Sequence, residues 1–445
     1  MLNGAAGEIR REALDYIVQF GEAFDAPCLV DISYCHYPAE MGIYAGSVED
    51  AVAYAQRCAA EQAVAQASLL ADKSAPLLTD QSRQAQRLAL PGIRVAVPTT
   101  TSTLCCDLER PGSTGCPPAL EALQAQIAGA HRSLGMLETY TCTPQQLGFV
   151  PPFGSYIVSV ESSAIIYFNS VLGARTNRGG LLTRYSAVCG KYPLMGYLLT
   201  ANRRGTHLFN IDVPPQRLST CDGWSALGFH VGGLVGSAVP VLAGLPPQIR
   251  QEWLISLGAA LATSGAVTLF HIPGQTPEAR TLEEAFQGGQ PEAVYTVTER
   301  DLDAVYEKMR TIPRGAAVDF VTLGCPHYNL EQLRVVAELL RGRRVAGGVR
   351  CWVCTNRMTR AAAASAGYVQ AIEQAGALVV ADTCPVESHM RASTCREYGL
   401  AVPNVTAMVT DSVKMARYVG DLIGCNTALT DVDGCIAAGL SGRWQ

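Results

Sequence analysis

Residues 318–357 read VDFVTLGCPHYNLEQLRVVAELLRGRRVAGGVRCWVCTNR, and the rest of the chain takes its meaning from them. The run 318–323 predicts a buried strand, closed by the turn Gly324-Cys325-Pro326-His327. A helix over 330–340, a second strand over 349–354 and a helix from about 360 to 374 follow. Beyond them, 377–381 and 406–409 read as strands and 412–419 as a helix. Strands alternating with helices imply the α/β class and a parallel, doubly wound sheet.

In such a sheet, ligands bind beyond the carboxyl ends of the strands. Here each end carries polar groups: Cys325 and His327, then Cys354-Thr355-Asn356-Arg357, then Asp382-Thr383-Cys384, then Thr410-Asp411-Ser412 with Lys414 two residues on. Together they point to a working crevice. Cys325 and Cys384 are expected just before helices, where the positive helix end lowers a thiol's pKa. Thiolates so placed suit soft metals and iron–sulfur clusters. Cys142, in the turn Thr141-Cys142-Thr143-Pro144, is a third candidate. Three cysteine ligands leave one position on the metal open, which a Lewis-acid dehydratase needs. The competing reading makes each an ordinary buried cysteine. Cys351 and Cys354 have C-x-x-C spacing, but within a strand they point to opposite faces, so they read as structural. Cys105-Cys106 reads as part of a loop, without chemical consequence.

Upstream, 8–21 has helical apolar spacing, through Ile9, Leu14, Ile17 and Val18. A strand over 27–32 ends in the polar run Ser33-Tyr34-Cys35-His36. An alanine- and glutamine-rich helical region is expected over 48–88, with an exposed loop near 72–80. A strand over 93–97 stops at Pro98-Thr99-Thr100-Thr101. A loop over 105–118, a helix over 119–134, an extended piece over 139–144 and a strand–helix–loop over 155–177 complete this part. The segment from Asn169 to Arg178 includes Ser170, Arg175 and Thr176. Arg175 and Arg178 are natural clamps for carboxylate or phosphate, with an inter-domain ion-pair hinge as the competing reading. Glu161-Ser162-Ser163 is a candidate acid–base or hydrogen-bonding patch; a solvated loop would look the same. The most membrane-like stretch, 226–247, holds His230 and several glycines and prolines, and reads as a buried packing element.

Composition sets the outer bounds. A chain of 445 residues, 48% hydrophobic and 16% charged, makes two or three packed domains. A net charge of -5 gives no electrostatic reason to expect nucleic acid or an anionic membrane as partner. Met1-Leu2-Asn3-Gly4 opens no secretory signal, so the 16 cysteines are expected reduced and the location cytoplasmic.

In their order along the chain these segments resemble the aconitase X family, the outlying branch of the aconitase superfamily. The resemblance rests on 1–21, 139–144, 161–178, 263–286 (with Leu269-Phe270-His271 and Thr276-Pro277-Glu278-Ala279), 323–327, 381–384 and 410–414. It implies an aconitase-like multi-domain architecture, divided here at 1–205, 206–312 and 313–445. It also implies that the small swivel domain is absent from this chain, which means either a partner subunit that supplies it or an incomplete enzyme. Cys142, Cys325 and Cys384 become ligands of a 2Fe-2S, 3Fe-4S or 4Fe-4S cluster. The activity implied is a hydro-lyase acting on a small hydroxy acid, either mevalonate 5-phosphate or cis-3-hydroxy-L-proline. The turn at 324–327 is closer to the mevalonate-phosphate type. Ser33, His36, Glu161 and Ser162 are then the catalytic candidates. Thr99, Thr100, Asn169, Ser170, Arg175, Thr176, Arg178, Ser412 and Lys414 are the substrate-binding ones. The chain departs from the family's pattern at Ser33–His36, Gln145 and Gly179-Gly180. It departs again after Thr100, where Cys105, Cys106 and Cys116 stand. A non-catalytic paralogue on the same scaffold, and a thiol oxidoreductase built on Cys351 and Cys354, are the readings from other classes.

Overall fold

The structure, a computed structural model, describes residues 8–39, 94–180, 182–392, 395 and 403–445. The helix expected over 48–88, with its loop at 72–80, lies outside them.

The first region runs α1 (Glu8–Ala23), β1 (Leu29–Asp31), β2 (Tyr34–Tyr37), β3 (Thr99–Thr101), α2 (Pro118–Ser133), β4 (Ile157–Ser159), α3 (Ser162–Ser170), α4 (Leu182–Cys189) and β5 (Lys191–Pro193). Strands β3, β2 and β4 form a parallel sheet with β2 at its centre. This corrects the sequence reading, which ended the strand before Ser33 and placed the next one over 93–97. The polar run is itself the central strand, and the threonines pair with it. Cys35 and Tyr37 pack with Ala13 and Ile17 of α1, while Tyr34 packs on Phe168 of α3. A strand buried on both faces loses the alternation that would have exposed it to pattern reading. Its histidine, His36, is buried with Nδ1 hydrogen-bonded to Thr100 Oγ1 at 2.8 Å.

The middle region holds β6 (His207–Asp212), α5 (Cys221–Val235), β7 (Pro240–Ala243), α6 (Gln251–Gly265), β8 (Ala293–Thr298) and α7 (Glu299–Met309), with a parallel sheet ordered β7-β6-β8. The glycine-rich stretch 226–247 is the latter part of α5, packed along α6, followed by β7. At Gly228 a Cβ would stand 2.4 Å from the Leu257 carbonyl oxygen, so glycine is what lets the two backbones approach. Among the described residues no helix is long and apolar enough to cross a membrane.

The last region contains β9 (Phe320–Leu323), α8 (Leu330–Leu340), β10 (Arg350–Thr355), α9 (Arg357–Ser365), α10 (Tyr368–Gln374), β11 (Leu378–Ala381), β12 (Ala407–Thr410), α11 (Val413–Leu422), β13 (Asn426–Leu429) and α12 (Val432–Ser441). Its sheet is parallel throughout, ordered β11-β10-β9-β12-β13. The chain steps outward from β9 to β11, then returns to β12 on the other side. The crevice beside β9 and β12 is therefore where strand order reverses, the place where open α/β sheets bind ligands. Phe320, Trp352, Val380 and Met408 face Met415 and Val419 of α11, while Val321, Val353, Val379 and Val409 face α8, α10 and α12. The single helix expected over 360–374 is two helices, split where Gly367 takes a φ of 79°.

Cys351 and Cys354 lie in opposite apolar clusters, one on each face of the sheet. Burial pushes the Cys351 thiol up to about 12 and that of Cys354 higher still. Iodoacetamide applied to the folded protein is expected to leave both unmodified by mass spectrometry. Rapid labelling of either would restore the thiol-oxidoreductase reading.

Candidate functional site

Three loops from distant parts of the chain meet at the reversal point. Cys142, Cys325 and Cys384 line one pocket there, together with Thr103, Glu161, His327, Glu387, Lys414 and Tyr418. The enclosed part of the pocket is small, about 30 Å³, and it opens to solvent.

Each cysteine is placed by its own loop. Cys325 follows β9 through Gly324, whose φ is 90° and whose Cα presses on β10. A Cβ there would stand 2.1 Å from the Cys354 carbonyl oxygen, so only glycine admits this turn. Cys384 follows β11 after Asp382 and Thr383, and its N–H donates to the Leu104 carbonyl at 3.3 Å. Cys142 lies in the turn before the short 3-10 helix Pro144–Leu147.

His327 joins the three loops. Its backbone N–H donates to Cys142 Sγ at 3.2 Å. Nε2 donates to the Thr383 carbonyl at 3.1 Å, so Nδ1 is the acceptor, taking the Thr141 hydroxyl at 3.2 Å. Burial lowers its pKa to about 4, which keeps this neutral tautomer at ordinary pH. Sequence reasoning quoted His327 beside Cys325 but gave it no task; the spacing contains no sign of its two distant partners.

The expectation that helix ends lower the Cys325 and Cys384 pKa values is overturned. Helix α8 begins only at Leu330, and the turn after Cys384 is the short 3-10 helix Pro385–Glu387. Burial dominates instead. It pushes Cys325 up to about 11, against Lys414 and Ser412, and raises Cys142 and Cys384 further. Thiols this protonated become ligands by giving up their protons to the metal that binds them.

The donor set and its spacing test the fit of a cluster. Sulfur from Cys is the donor class that holds iron–sulfur clusters. The trio lines a pocket from three sides. Among the described residues, the group whose ligand atoms all lie within 4.8 Å of one another, as on a single ion, is a different one: Cys105, Cys106 and Cys116. The wider trio suits a centre of several irons.

Beside the sulfurs lies a buried ion pair. Lys414 Nζ stands 2.9 Å from Glu161 Oε1 and donates to Ser162 Oγ at 3.1 Å. Glu161 caps α3, accepting from the N–H and hydroxyl of Ser163. Burial alone would raise the Glu161 carboxyl, but Lys414 and Ser163 hold it down to about 2, so it stays ionised. Ser412 caps α11. Glu387, also in the pocket, has its carboxyl raised well above the usual range by burial.

The other candidates stand elsewhere. Thr100 bridges Tyr34 and His36, and Thr99 donates to the Val97 carbonyl. Ser33 is exposed and donates to the Tyr156 carbonyl at 3.3 Å. Arg178 is exposed, its backbone bridged to Ser159. Ser170 accepts from the Phe270 N–H, and Thr176 donates to the Asn177 carbonyl. Asn169 donates to the Thr176 and Thr268 carbonyls and accepts from Arg203. Arg175 donates to Leu198 and Thr200 and faces Glu278 at 3.6 Å. This second network centres on Arg203, which is 1% exposed and hydrogen-bonds both oxygens of Glu278, tying the first region to the middle one. Arg203→Ala is expected to cost about 3 kcal/mol in denaturant unfolding, because it leaves the largely buried Glu278 carboxylate with Arg175, at 3.6 Å, as its remaining ion-pair partner among the described residues. A loss under about 1 kcal/mol would show the network to be solvated.

Comparisons with known proteins bear on the whole chain. Family models match in order: Aconitase X first domain over residues 1–201, second domain over 205–307 and third domain over 318–441. The phosphomevalonate dehydratase large subunit of Methanothermobacter thermautotrophicus is 33% identical, over 97% of this chain and 94% of its own. The cis-3-hydroxy-L-proline dehydratase of Pseudomonas aeruginosa is 32% identical, over 81% of this chain and 61% of its own. The crystal structure of Thermococcus kodakaraensis aconitase X in its holo-form superposes with a TM-score of 0.77 at 27% identity, covering 98% of this chain and 97% of that one.

Proposed function

Since the chain belongs to the aconitase X family and is a dehydratase of that type, we propose that it removes water from a small β-hydroxy acid at an iron–sulfur cluster held by Cys142, Cys325 and Cys384. Its substrate is mevalonate 5-phosphate or a close relative, and a small swivel-domain subunit completes the site. One observation carries this reading: three sulfurs from three separate loops line the same pocket as the Glu161–Lys414 pair.

Cys142, Cys325 and Cys384 would hold the cluster, and a bound cluster would supply Lewis acidity toward the substrate hydroxyl. The remaining work belongs to side chains. Lys414, oriented by Glu161 and Ser162, offers a fixed cation to the substrate's carboxylate or phosphate. Holding that charge in a buried setting makes it worth more than it would be in water. Ser412 and His327 keep the Cys325 and Cys142 loops in register. The α-proton goes to a base that the small subunit brings.

The match to a protein named as a large subunit, over nearly the full length of both chains, supports the two-chain enzyme and the phosphorylated substrate. Anaerobic reconstitution with iron and sulfide, followed by assay with the small subunit added, tests it. Brown protein that converts mevalonate 5-phosphate is expected. Turnover of cis-3-hydroxy-L-proline instead would move the substrate, and a colourless protein would remove the cluster.

A further inference from the structure

Outside the pocket, the tightest gathering of metal-binding side chains among the described residues is Cys105, Cys106 and Cys116, whose sulfurs all lie within 4.8 Å of one another. They are 0%, 0% and 3% exposed. The turn at 107–115 folds Cys116 back onto the other two, and it is pinned from outside. Asp107 pairs with Arg360, Arg110 with Glu373 at 2.7 Å, and the Gly112 N–H donates to Glu121 at 2.7 Å. Gln124 accepts from the Cys105 N–H at 2.9 Å, and Leu108, Leu120 and Ile127 close the surroundings.

A second observation comes from the far end of the chain. His389, 6% exposed, neighbours Cys116, although its ring nitrogens lie outside the 4.8 Å group that the three sulfurs form. Its Nδ1 is buried with no hydrogen-bond partner among the described residues. A buried imidazole nitrogen without a partner is costly unless something binds it.

We propose that Cys105, Cys106 and Cys116, with His389 as fourth donor, bind one thiophilic closed-shell ion, zinc, in a structural site separate from the catalytic pocket. Three sulfurs and one imidazole make the Cys3His set of closed tetrahedral zinc centres. A Zn–S bond of about 2.3 Å sets neighbouring sulfurs about 3.8 Å apart, so the trio tightens only slightly on binding. Each thiol that ligates releases its proton to solvent.

The site ties the first region to the last, around the loop that carries a pocket cysteine. Leu104, next to Cys105, donates to the Asp382 carbonyl at 2.7 Å and accepts from the Cys384 N–H. His389 follows Cys384 on the other side. A metal gripping both segments therefore clamps the Cys384 loop from two directions.

The test is metal analysis of the full-length chain alongside cobalt spectroscopy. Wild type and Cys325→Ser are expected to carry about one zinc per chain, and Cys116→Ser to lose it, in a closed Cys3His site. In Cys116→Ser, iron–sulfur absorption at the pocket remains. Should Cys116→Ser fold poorly, wild type decides alone. Metal-stripped protein titrated with Co²⁺ is expected to show intense tetrahedral d–d bands that saturate near one equivalent and vanish on adding zinc. His389→Gln is expected to shift and weaken those bands. Wild type without such bands, or zinc content equal in wild type and a folded Cys116→Ser, overturns the site.

Discussion

Cys325→Ser is expected to leave a folded protein that cannot hold its cluster and has lost at least about a thousand-fold in turnover, since a metal acting as Lewis acid supplies several kcal/mol of transition-state stabilisation. The turn that carries Cys325 is built by Gly324 on the Cys354 carbonyl and by the Tyr328 N–H bonded to that same oxygen. None of these contacts uses the Cys325 sulfur, so far-ultraviolet circular dichroism should match wild type. Ultraviolet–visible absorption of the anaerobically reconstituted variant should lack the sulfur-to-iron band. Cys354→Ser is the control. That sulfur lies inside the sheet, and its replacement should lower stability by about 1–3 kcal/mol, the cost of an ill-placed buried hydroxyl, with the cluster retained. Equal loss of colour in both variants would point to general disturbance instead of ligand removal.

Lys414→Ala is the second large effect, expected at about a hundred- to ten-thousand-fold in kcat/KM, the scale seen when a preorganised charge facing the reacting group is removed. It also leaves Glu161 buried without its counter-charge, at a cost of about 3–5 kcal/mol of stability. The sign follows from the depressed carboxyl. Glu161 sits at about 2 in the folded protein, so the pair's stabilisation is complete above the unfolded carboxyl's titration and is lost as pH falls through about 2. Without Lys414 that depression disappears and burial raises the carboxyl, so the variant loses stability at neutral pH. Removing both, in Lys414→Ala with Glu161→Ala, should recover part of the stability but none of the activity. Activity that returns together with stability would make the pair structural and leave substrate binding to other groups.

Much of this was legible before any coordinate. The strands of the last region are β-branched runs closed by polar turns, and their ends name Cys325, Cys384 and Lys414 directly. Cys142 was legible from its hydroxyl-flanked turn. What the sequence could not carry was partnership across distance. Glu161 and Lys414 are each visible, but across a sequence separation of 253 nothing announces that they pair. The same holds for His327, whose importance lies in touching Thr141 and Thr383. Strand β2 was hidden because both its faces are buried, so it has no alternation to read. The Asn169–Arg178 segment looked like an anion clamp because its guanidinium and amide groups were counted without Arg203 and Glu278, which engage Asn169 and face Arg175. Cys105 and Cys106 were set aside as part of a loop without chemical consequence. Only the folded turn, with His389 arriving from elsewhere, makes them a set.

The central claim is that Cys142, Cys325 and Cys384 share one iron–sulfur centre. Anomalous scattering at the iron edge, from crystals of the anaerobically reconstituted chain, reads it directly. Iron density bridging those three sulfurs at the reversal point of the sheet is the result this account predicts. A crystal of the brown protein with no iron there, or with iron seated only among Cys105, Cys106 and Cys116, would contradict it.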